Sequence, residues 1–290
     1  MNGDAFQLDK QRVRAAFERA AEGYDRIAVL QREVGGRLLE RLDLMKIQPG
    51  RVLDLGSGTG QIMRAAVKRY RGAQLVGVDI AESMLQAARR ARRWWRRPAL
   101  VCGDMESLPM AAASVDMVLS NLSLQWCNDL DRVMAELRRV LRPGGVLLFT
   151  TLGPDTLKEL RASWSTVDSS CHVNTFLDMH DVGDAMLRAG LSDPVVDRED
   201  LILTYPDLHR LMRDLKGLGA HNVTAGRPRG LTTPTRLRKL EAAYEAYRRD
   251  DGLPANYEVI YGHAWKPQPA AVELALSGIR QAKSPRTGQS

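Results

Sequence analysis

The chain has 290 residues, of which 44% are hydrophobic and 27% charged, as expected for one large soluble domain or one domain with a sizeable insertion. It begins with a polar stretch and contains no run of about 18 apolar residues, so we predict neither a signal peptide nor a membrane span. Three scattered cysteines argue against a disulfide framework and favour a cytoplasmic location, while a formal charge of +7 raises the question of an acidic partner.

The first part of the chain is predicted to be helical. Apolar residues recur at helical spacing across residues 10–42, and the sequence Gly23-Tyr24-Asp25 interrupts this pattern. We therefore expect two entry helices, followed by a turn at residues 48–50. Residues 1–48 are taken as an entry segment that precedes the main domain.

Short strands and helices alternate through residues 49–153. Strands are predicted at 51–55, 74–79, 99–104, 115–120 and 146–151, and helices at 61–69, 83–93 and 130–141, the last ended by a turn at 143–145. This alternation of strands and helices is typical of a parallel, doubly wound α/β sheet with helices on both faces.

The remainder of the chain is predicted to add two strands and a helical insertion. Residues 154–250 read as mostly helical, with one core strand at 201–205, and residues 251–266 contain the final strand at 257–265. The whole sheet would then have seven strands. Residues 267–290 are rich in Pro, Gly, Ser and Gln, which predicts a disordered tail.

The positive charge is concentrated in one segment. Residues 89–97 contain six arginines and no acid, and removing those six from the formal charge of +7 leaves +1. A solvated helix end is the favoured interpretation of this run. A docking site for an acidic protein or a nucleic acid, with Trp94 and Trp95 stacking on bases, is the alternative.

A glycine-rich turn follows the first strand. Gly56, Ser57, Gly58 and Gly60 lie between this strand and the next helix, and Asp54 stands at the edge of the turn. Glycines let the backbone approach a ligand closely, and the helix N-terminus attracts an anionic group such as a carboxylate. Nicotinamide and flavin enzymes share such turns, but here the pattern is G-x-G-x-G. A carboxylate at its edge suits the ammonium group of a methionine moiety better than a pyrophosphate.

Polar residues also end the next three strands. Asp79 is placed to accept the ribose hydroxyls of an adenosine, Asp104 and Met105 to contact an adenine ring, and Ser120 and Asn121 to close the site. The carboxyl ends of parallel strands meet in one crevice, so these residues should converge. Together with the turn they predict an S-adenosylmethionine site. The five histidines and the cysteines show no metal-ligand spacing, and no nucleophile–base pair stands out.

These residues resemble the class I methyltransferases, whose Rossmann-like core carries a mostly parallel seven-stranded sheet and a lid. Further segments resemble, more narrowly, the BioC family of malonyl-acyl carrier protein O-methyltransferases in biotin synthesis, over roughly residues 10–265. The segments that carry this narrower resemblance are Tyr24-Asp25, Leu30-Gln31, Thr150-Thr151-Leu152, His172-Val173-Asn174-Thr175-Phe176, Leu215-Lys216-Gly217-Leu218-Gly219-Ala220 and Gly226-Arg227.

A second family also shares segments with the chain. Asn128-Asp129-Leu130, residues 153–157 and residues 254–257 are similar to the complex I assembly factor that hydroxylates a protein arginine. No mitochondrial transit peptide is predicted, and His172-Val173-Asn174, Lys216 and Gly226-Arg227 favour BioC. The alternatives to a malonyl methyl ester are therefore arginine hydroxylation as an assembly factor and an RNA-binding methyltransferase.

The BioC resemblance implies roles for particular residues. Tyr24 would hydrogen-bond near the sulfonium or orient the carboxylate, and Phe176 would cover the transfer site. Gln31, Ile80 and Met84 would join the cofactor site. His172, Lys216, Arg227 and Arg229 are candidate contacts of a malonyl carboxylate or a phosphopantetheine phosphate.

The implied reaction requires no general base, because a carboxylate with a pKa of about 4 is already ionised at neutral pH. The entry helices and the 154–249 insertion would instead position the reactants and exclude water. The expected donor is malonyl-acyl carrier protein or malonyl-CoA, and the expected enzyme is a monomer that needs no metal, membrane or nucleic acid.

Overall fold

The computed structural model describes residues 7–91, 98–220, 222 and 233–269. In the entry segment, α1 (Lys10–Ala20) is capped by the Asp9 side chain, which accepts hydrogen bonds from two backbone amides of the first turn. The break predicted at Gly23 is present, and the short α2 (Tyr24–Ile27) and the longer α3 (Val29–Arg41) follow it. A single 3-10 turn, Leu42–Leu44, then leads to the sheet.

The remaining helices and the strands follow in chain order. The strands are β1 (Arg51–Leu55), β2 (Gln74–Asp79), β3 (Ala99–Cys102), β4 (Val115–Ser120), β5 (Leu141–Leu152), β6 (Ser192–Tyr205) and β7 (Leu253–Trp265). The helices are α4 (Gln61–Arg69), α5 (Glu82–Arg90), α6 (Leu130–Val140), α7 (Lys158–Ser165), α8 (Met179–Arg188), α9 (Leu208–Gly217) and α10 (Pro234–Glu245). No helix of the described residues is both long and apolar enough to cross a bilayer.

One seven-stranded sheet organises the molecule, in the order β3-β2-β1-β4-β5-β7-β6. The first five strands pair in parallel, whereas β7 pairs antiparallel with both β5 and β6. The chain order reverses direction between β1 and β4, which both lie at the centre. In such sheets this reversal opens a crevice at the carboxyl ends of the strands.

Helices cover both faces of the sheet. Leu53 and Phe149 pack on one face with Met134 of α6, while their strand neighbours Val52 and Leu148 pack on the opposite face. Successive strand residues point to opposite faces, so two apolar clusters are expected when both faces are covered. The predicted doubly wound architecture is confirmed.

Several predicted boundaries were wrong. β3 ends at Cys102 rather than at residue 104, and residues 143–145, predicted as a turn, lie within β5 close to a register shift in its pairing with β4. β6 begins nine residues before the predicted strand at 201–205, and β7 begins at Leu253 rather than at residue 257.

The error in β6 has a physical cause. Its first half is charged and lacks an apolar face, yet its backbone pairs with β7 from Ser192 to Tyr205. As the edge strand it can keep its charges in solvent and form ion pairs, such as Arg198 with Glu258 (3.1 Å) and Asp197 with Arg41 (2.6 Å). Of the predicted tail, residues 267–269 are neither helix nor strand, and residues 270–290 lie outside the described residues.

Candidate cofactor and substrate site

The glycine turn folds back on β1 as its sequence predicted. Gly56, Gly58 and Gly60 all have positive φ angles, of 67°, 52° and 83°, which side chains rarely adopt. A Cβ on Gly56 would lie 2.3 Å from the Cβ of Ser123, whereas a Cβ on Gly58 would meet no atom within 4 Å. Gly56 therefore permits close packing inside the protein, and Gly58 keeps open space on the crevice side.

Asp79 lies at the end of β2 and connects to this turn. Its carboxylate accepts hydrogen bonds from the backbone amides of Gly58 (2.8 Å) and Ala81 (2.9 Å). Burial raises the pKa of Asp79 to about 6, although these backbone hydrogen bonds act in the opposite direction. The residue is thus held rigidly at the crevice, in the position where a ribose was predicted.

A narrow cavity of about 70 Å³ occupies the crevice at the ends of β1, β2 and β4 and beyond β3. Eight of the residues predicted to bind the cofactor line it: Gly56, Gly58, Asp79, Ile80, Met84, Asp104, Met105 and Asn121. We name it the cofactor cavity. A carboxylate for a ribose, methionine side chains for a ring face and glycine backbone for close approach are the groups that S-adenosylmethionine requires, so the residues present fit it.

Three predicted cofactor residues frame the turn without lining this cavity. Asp54 is only 2% exposed, and its carboxylate accepts a hydrogen bond from the Met63 amide of α4 (3.1 Å). Burial raises the pKa of Asp54 to about 7. Ser57 is buried against Gly77, and Gly60 is the N-cap of α4. In the structure, these residues fix the path of the backbone.

Asp104 is engaged by a residue that the sequence analysis missed. The Lys10 ammonium group on α1 lies 2.7 Å from the Asp104 carboxylate and 2.9 Å from that of Glu106. Partial burial acts to raise the pKa of Asp104, but the hydrogen bond from Lys10 and that from the Glu106 amide lower it overall. Helix α1 thus closes over the predicted adenine end of the cofactor cavity, and no motif marks Lys10.

A larger cavity of about 470 Å³ adjoins the first. It lies among the entry helices, the ends of β5 and β6, and helix α9, and we name it the substrate cavity. Its lining is mostly apolar and includes Leu30, Leu152, Leu203, Leu215 and Tyr257. This composition and size suit an organic ligand that is longer than its reacting group.

Four side chains line both cavities: Phe17, Tyr24, Leu122 and Trp126. Leu122 has a φ of 49°, a strained angle for leucine, and its amide is held by the Thr150 hydroxyl (2.9 Å). We name these four residues the shared wall. Of these four residues, the sequence analysis predicted only Tyr24 as a site residue.

Tyr24 is the residue of this wall that can donate a hydrogen bond from a hydroxyl group. Its burial, with the nearby Asp79 and Asp25 carboxylates, raises the pKa of Tyr24, so the hydroxyl stays protonated and can donate a hydrogen bond. The adjacent Asp25 accepts hydrogen bonds from Thr59 (2.5 Å) and Gln61 (3.1 Å), side chains at the start of α4. These contacts tie α2 to the glycine turn and position Tyr24.

Gln31 and Asn121 connect the entry helices to the sheet. The Asn121 side chain donates to the Gln31 carbonyl (2.9 Å) and accepts from the Thr150 hydroxyl (2.9 Å). The side-chain oxygen of Gln31 is buried and has no hydrogen-bond partner among the described residues; Gln31 lines the substrate cavity and not the cofactor cavity, where it was predicted. A buried acceptor of this kind is ready to receive a ligand donor, such as an ammonium group.

Phe176 separates the substrate cavity from two smaller ones. It lines the 470 Å³ cavity, a 250 Å³ cavity beside α8 and a 210 Å³ cavity beside Trp164. The covering role that the resemblance implied stays a prediction, because Phe176 lines the substrate cavity but not the cofactor cavity.

The predicted substrate contacts are dispersed. His172 stacks on Trp164 with ring centroids 3.6 Å apart, bonds to Asp168 (2.8 Å) and lines the 210 Å³ cavity. Lys216 is exposed on α9 and lines neither the substrate cavity nor the cofactor cavity. Arg227 and Arg229 lie outside the described residues.

The arginine run is also only partly described. Arg89 pairs with Glu82 (2.8 Å) and Arg90 is exposed at the end of α5, while residues 92–97 lie outside the described residues. The pairing of Arg89 agrees with a solvated helix end at this point.

Comparisons with known proteins agree with this geometry. A family model described as a methyltransferase domain matches residues 53–149. The chain is 55% identical to a malonyl-(acyl-carrier protein) O-methyltransferase of Laribacter hongkongensis, over 91% of this chain and 92% of the relative. It is 51% identical to a protein of the same name from Halorhodospira halophila, over 96% of this chain and 98% of the relative.

Solved structures show a similar fold at low identity. The YcgJ protein of a Bacillus species superposes with a TM-score of 0.58 at 17% identity, over 81% of this chain and 99% of that one. A Haemonchus contortus phosphoethanolamine N-methyltransferase in complex with S-adenosyl-L-methionine gives a TM-score of 0.52 at 22% identity, over 81% of this chain and 52% of that one. The fold is that of the class I methyltransferases.

Proposed function

The chain belongs to the malonyl-(acyl-carrier protein) O-methyltransferase family, and from this premise we propose that it methylates the free carboxylate of malonyl-acyl carrier protein in biotin synthesis. S-adenosylmethionine is its cofactor. The observation that carries the proposal is the shared wall, because it brings a predicted cofactor crevice and a long apolar cavity together at Tyr24. A methyl group can pass only between ligands that meet.

Bound S-adenosylmethionine supplies an electrophilic methyl group on a sulfonium. The acceptor carboxylate is already ionised near neutral pH, so no side chain has to remove a proton. Transfer of this methyl group to a carboxylate oxygen would give a methyl ester, and the electron pair of the broken carbon–sulfur bond would stay with the cofactor as a thioether. The protein's task is to align the reactants and exclude water.

The residues of the shared wall perform that task in our proposal. Phe17, Leu122 and Trp126 give the meeting point apolar sides, which strengthens the attraction between a sulfonium and a carboxylate by removing water. Tyr24 donates its hydroxyl hydrogen to one carboxylate oxygen and leaves the other free to react. Phe176 covers the acceptor from the side of the insertion.

The cofactor would be held along the strand ends. Asp79 would accept hydrogen bonds from the ribose hydroxyls. Asp104 and Met105 would contact the adenine, and Gly56 and Gly58 would accommodate the methionine portion. The unpartnered oxygen of Gln31 accepts a hydrogen bond from the cofactor's ammonium group.

We also propose the carrier of the thioester, its contacts, the oligomeric state and the location of the enzyme. The thioester would be carried on acyl carrier protein or coenzyme A, and His172, Lys216, Arg227 and Arg229 are proposed to contact it. We expect the enzyme to work as a monomer in the cytoplasm.

The direct test is incubation of the protein with S-adenosylmethionine and malonyl-acyl carrier protein, followed by mass spectrometry of the carrier. We expect a gain of one methyl group that alkaline hydrolysis removes, and no gain on carrier protein without the malonyl group. Complementation of a biotin-requiring strain that lacks its own enzyme is the matching test in cells. Tight cofactor binding without any methyl ester would overturn the proposal.

A further inference from the structure

The substrate cavity has two chemically different ends. At one end lies the shared wall, where the acceptor carboxylate must meet the methyl group. The other end is reached along α9, which packs against α2 through its last residue: a Cβ built on Gly217 would lie 2.6 Å from Ile27. The C-terminal end of α9 therefore lies beside α2, the helix that begins at Tyr24.

Arg210 lies in the first turn of this helix, at the end opposite the contact with α2. It precedes Gly217 by seven residues, which is about 10 Å along a helix axis. Tyr205 and Pro206, at the end of β6, line the same part of the cavity. A three-carbon malonyl group is shorter than this separation of about 10 Å, so a malonyl group held at the α2 end of the helix would not reach Arg210.

Arg210 is also the sole lysine or arginine among the described residues that line the substrate cavity. Its Nε lies 3.3 Å from a carboxylate oxygen of Asp214, whose side chain is 17% exposed, whereas the Arg210 side chain is 49% exposed. This ion pair holds the guanidinium beside Asp214, which also lines the cavity, and neither terminal nitrogen has a hydrogen-bond partner among the described residues. Such a planar pair of donors matches a phosphate oxygen pair.

We propose that Arg210 binds the phosphate at the end of the pantetheine arm, so that the substrate cavity holds the arm between a phosphate site and the shared wall. This inference rests on the proposed function, because it assumes a malonyl thioester as the substrate. Acyl carrier protein and coenzyme A both carry this phosphate, so the shared chemistry is a phosphoryl group attached to pantetheine.

The test compares donors with and without the phosphate. Arg210→Gln is assayed with malonyl-acyl carrier protein, malonyl-CoA and malonyl-pantetheine, which lacks the phosphate. We expect KM to rise roughly 10- to 100-fold for the first two donors with little change in kcat, as for loss of a charged hydrogen bond, and no change for malonyl-pantetheine. Arg210→Lys should restore part of the loss, because it keeps the charge but not the planar fork.

Arg213→Gln is the matched control, since Arg213 is an exposed cation of the same helix that does not line the substrate cavity. It should leave all three KM values within about twofold of the unmodified enzyme, as is usual for surface substitutions. Equal losses with malonyl-pantetheine and the phosphorylated donors, or no loss with any donor, would overturn the assignment of Arg210. If the unmodified enzyme esterified none of the donors, the proposed function itself would fail.

Discussion

The cofactor cavity and the substrate cavity differ in how they are built. The first is lined largely by residues between Leu55 and Trp126, at the ends of strands that follow one another in the chain, and it presents carboxylates at fixed positions. The second draws residues from Phe17 to Tyr257, on the entry helices, strands β5, β6 and β7, and α9, and is mainly apolar. Ligand recognition in the cofactor cavity should depend on carboxylates at fixed positions. In the substrate cavity it should depend mainly on shape, with a single cation among the described lining residues.

The largest expected effect falls on the cofactor side. Asp79→Ala removes a carboxylate that would accept two ribose hydroxyls and that also orders the Gly58 amide. Loss of two charge-assisted hydrogen bonds at about 1.5–3 kcal/mol each predicts a cofactor affinity roughly 100- to 10,000-fold weaker. Calorimetric titration measures it, with thermal unfolding as a check on folding. An unchanged affinity would show that the ribose does not bind here.

Substitutions of two glycines in the turn should distinguish an effect on protein packing from an effect on cofactor binding. Gly56→Ala places a methyl group against Ser123 at a strained φ, so we expect about 3 kcal/mol of lost stability by denaturant unfolding. Gly58→Ala should cost only about 1 kcal/mol of stability, from the strained φ angle, because its Cβ would lie in open space. This space belongs to the proposed cofactor site. The cofactor affinity of Gly58→Ala should fall more than its stability. Similar stability losses in both variants would contradict this division.

The buried Asp54 makes stability depend on pH. Its pKa is about 7 in the folded protein, above the value of 3.8 for an exposed aspartate, so between these values the folded state retains a proton that the unfolded state has lost. The free energy of unfolding should therefore fall as pH rises from about 4 to 7 and then level off. The raised pKa of Asp79 acts in the same direction.

Asp54→Asn should remove its part of this dependence. We expect a stability gain of roughly 4 kcal/mol over the unmodified protein at pH 8 and little difference at pH 4, measured by urea unfolding. Cofactor affinity should fall far less than in Asp79→Ala, because the Asp54 carboxylate faces Met63. Equal affinity losses in the two variants would assign Asp54 to the ligand.

A smaller effect is expected at the shared wall. Tyr24→Phe keeps the ring that lines both cavities and removes only the hydroxyl. One lost hydrogen bond predicts a roughly tenfold lower kcat with cofactor affinity within about twofold. Single-turnover assays with saturating cofactor would measure it. A tenfold weaker cofactor affinity with unchanged kcat would instead place the hydroxyl in the cofactor cavity alone.

The smallest effect concerns the closure of α1. Lys10→Gln removes a partly exposed ion pair with Asp104 and Glu106, for which about 0.5–1 kcal/mol is reasonable. Cofactor release should accelerate roughly three- to fivefold at low salt, and the difference should shrink at high salt because screening already weakens the pair. Stopped-flow displacement provides the rates. If the difference in release rate between Lys10→Gln and the unmodified protein persisted in molar salt, the ion pair of Lys10 would not be what slows release.

The residues of the cofactor cavity could be predicted from the sequence because the patterns that indicate them lie within short segments. A strand, a glycine turn and a helix follow one another, and polar residues end successive strands; Asp79, Asp104 and Asn121 consequently reach one crevice in any sheet of this type. What the pattern could not show is which of them face the ligand: Asp54 and Ser57 have the right positions in the sequence, yet their side chains are buried in the protein.

Local patterns failed where the environment decides the structure. The charged first half of β6 has no strand signal, but pairing with β7 supplies its hydrogen bonds and the edge position leaves its charges in solvent. Lys10 and Arg210 are likewise ordinary surface cations in the sequence. Only the packing of α1 and α9 brings them beside Asp104 and the substrate cavity.

The sequence by itself determined the alternating α/β core, the glycine turn and the carboxylates at the strand ends, because these depend on residue periodicity and backbone freedom within short segments. The tertiary structure alone decided the antiparallel edge, the shared wall and the place of Arg210. Each of these brings together residues far apart in the chain, and such contacts are fixed by the packing of whole elements rather than by any local preference.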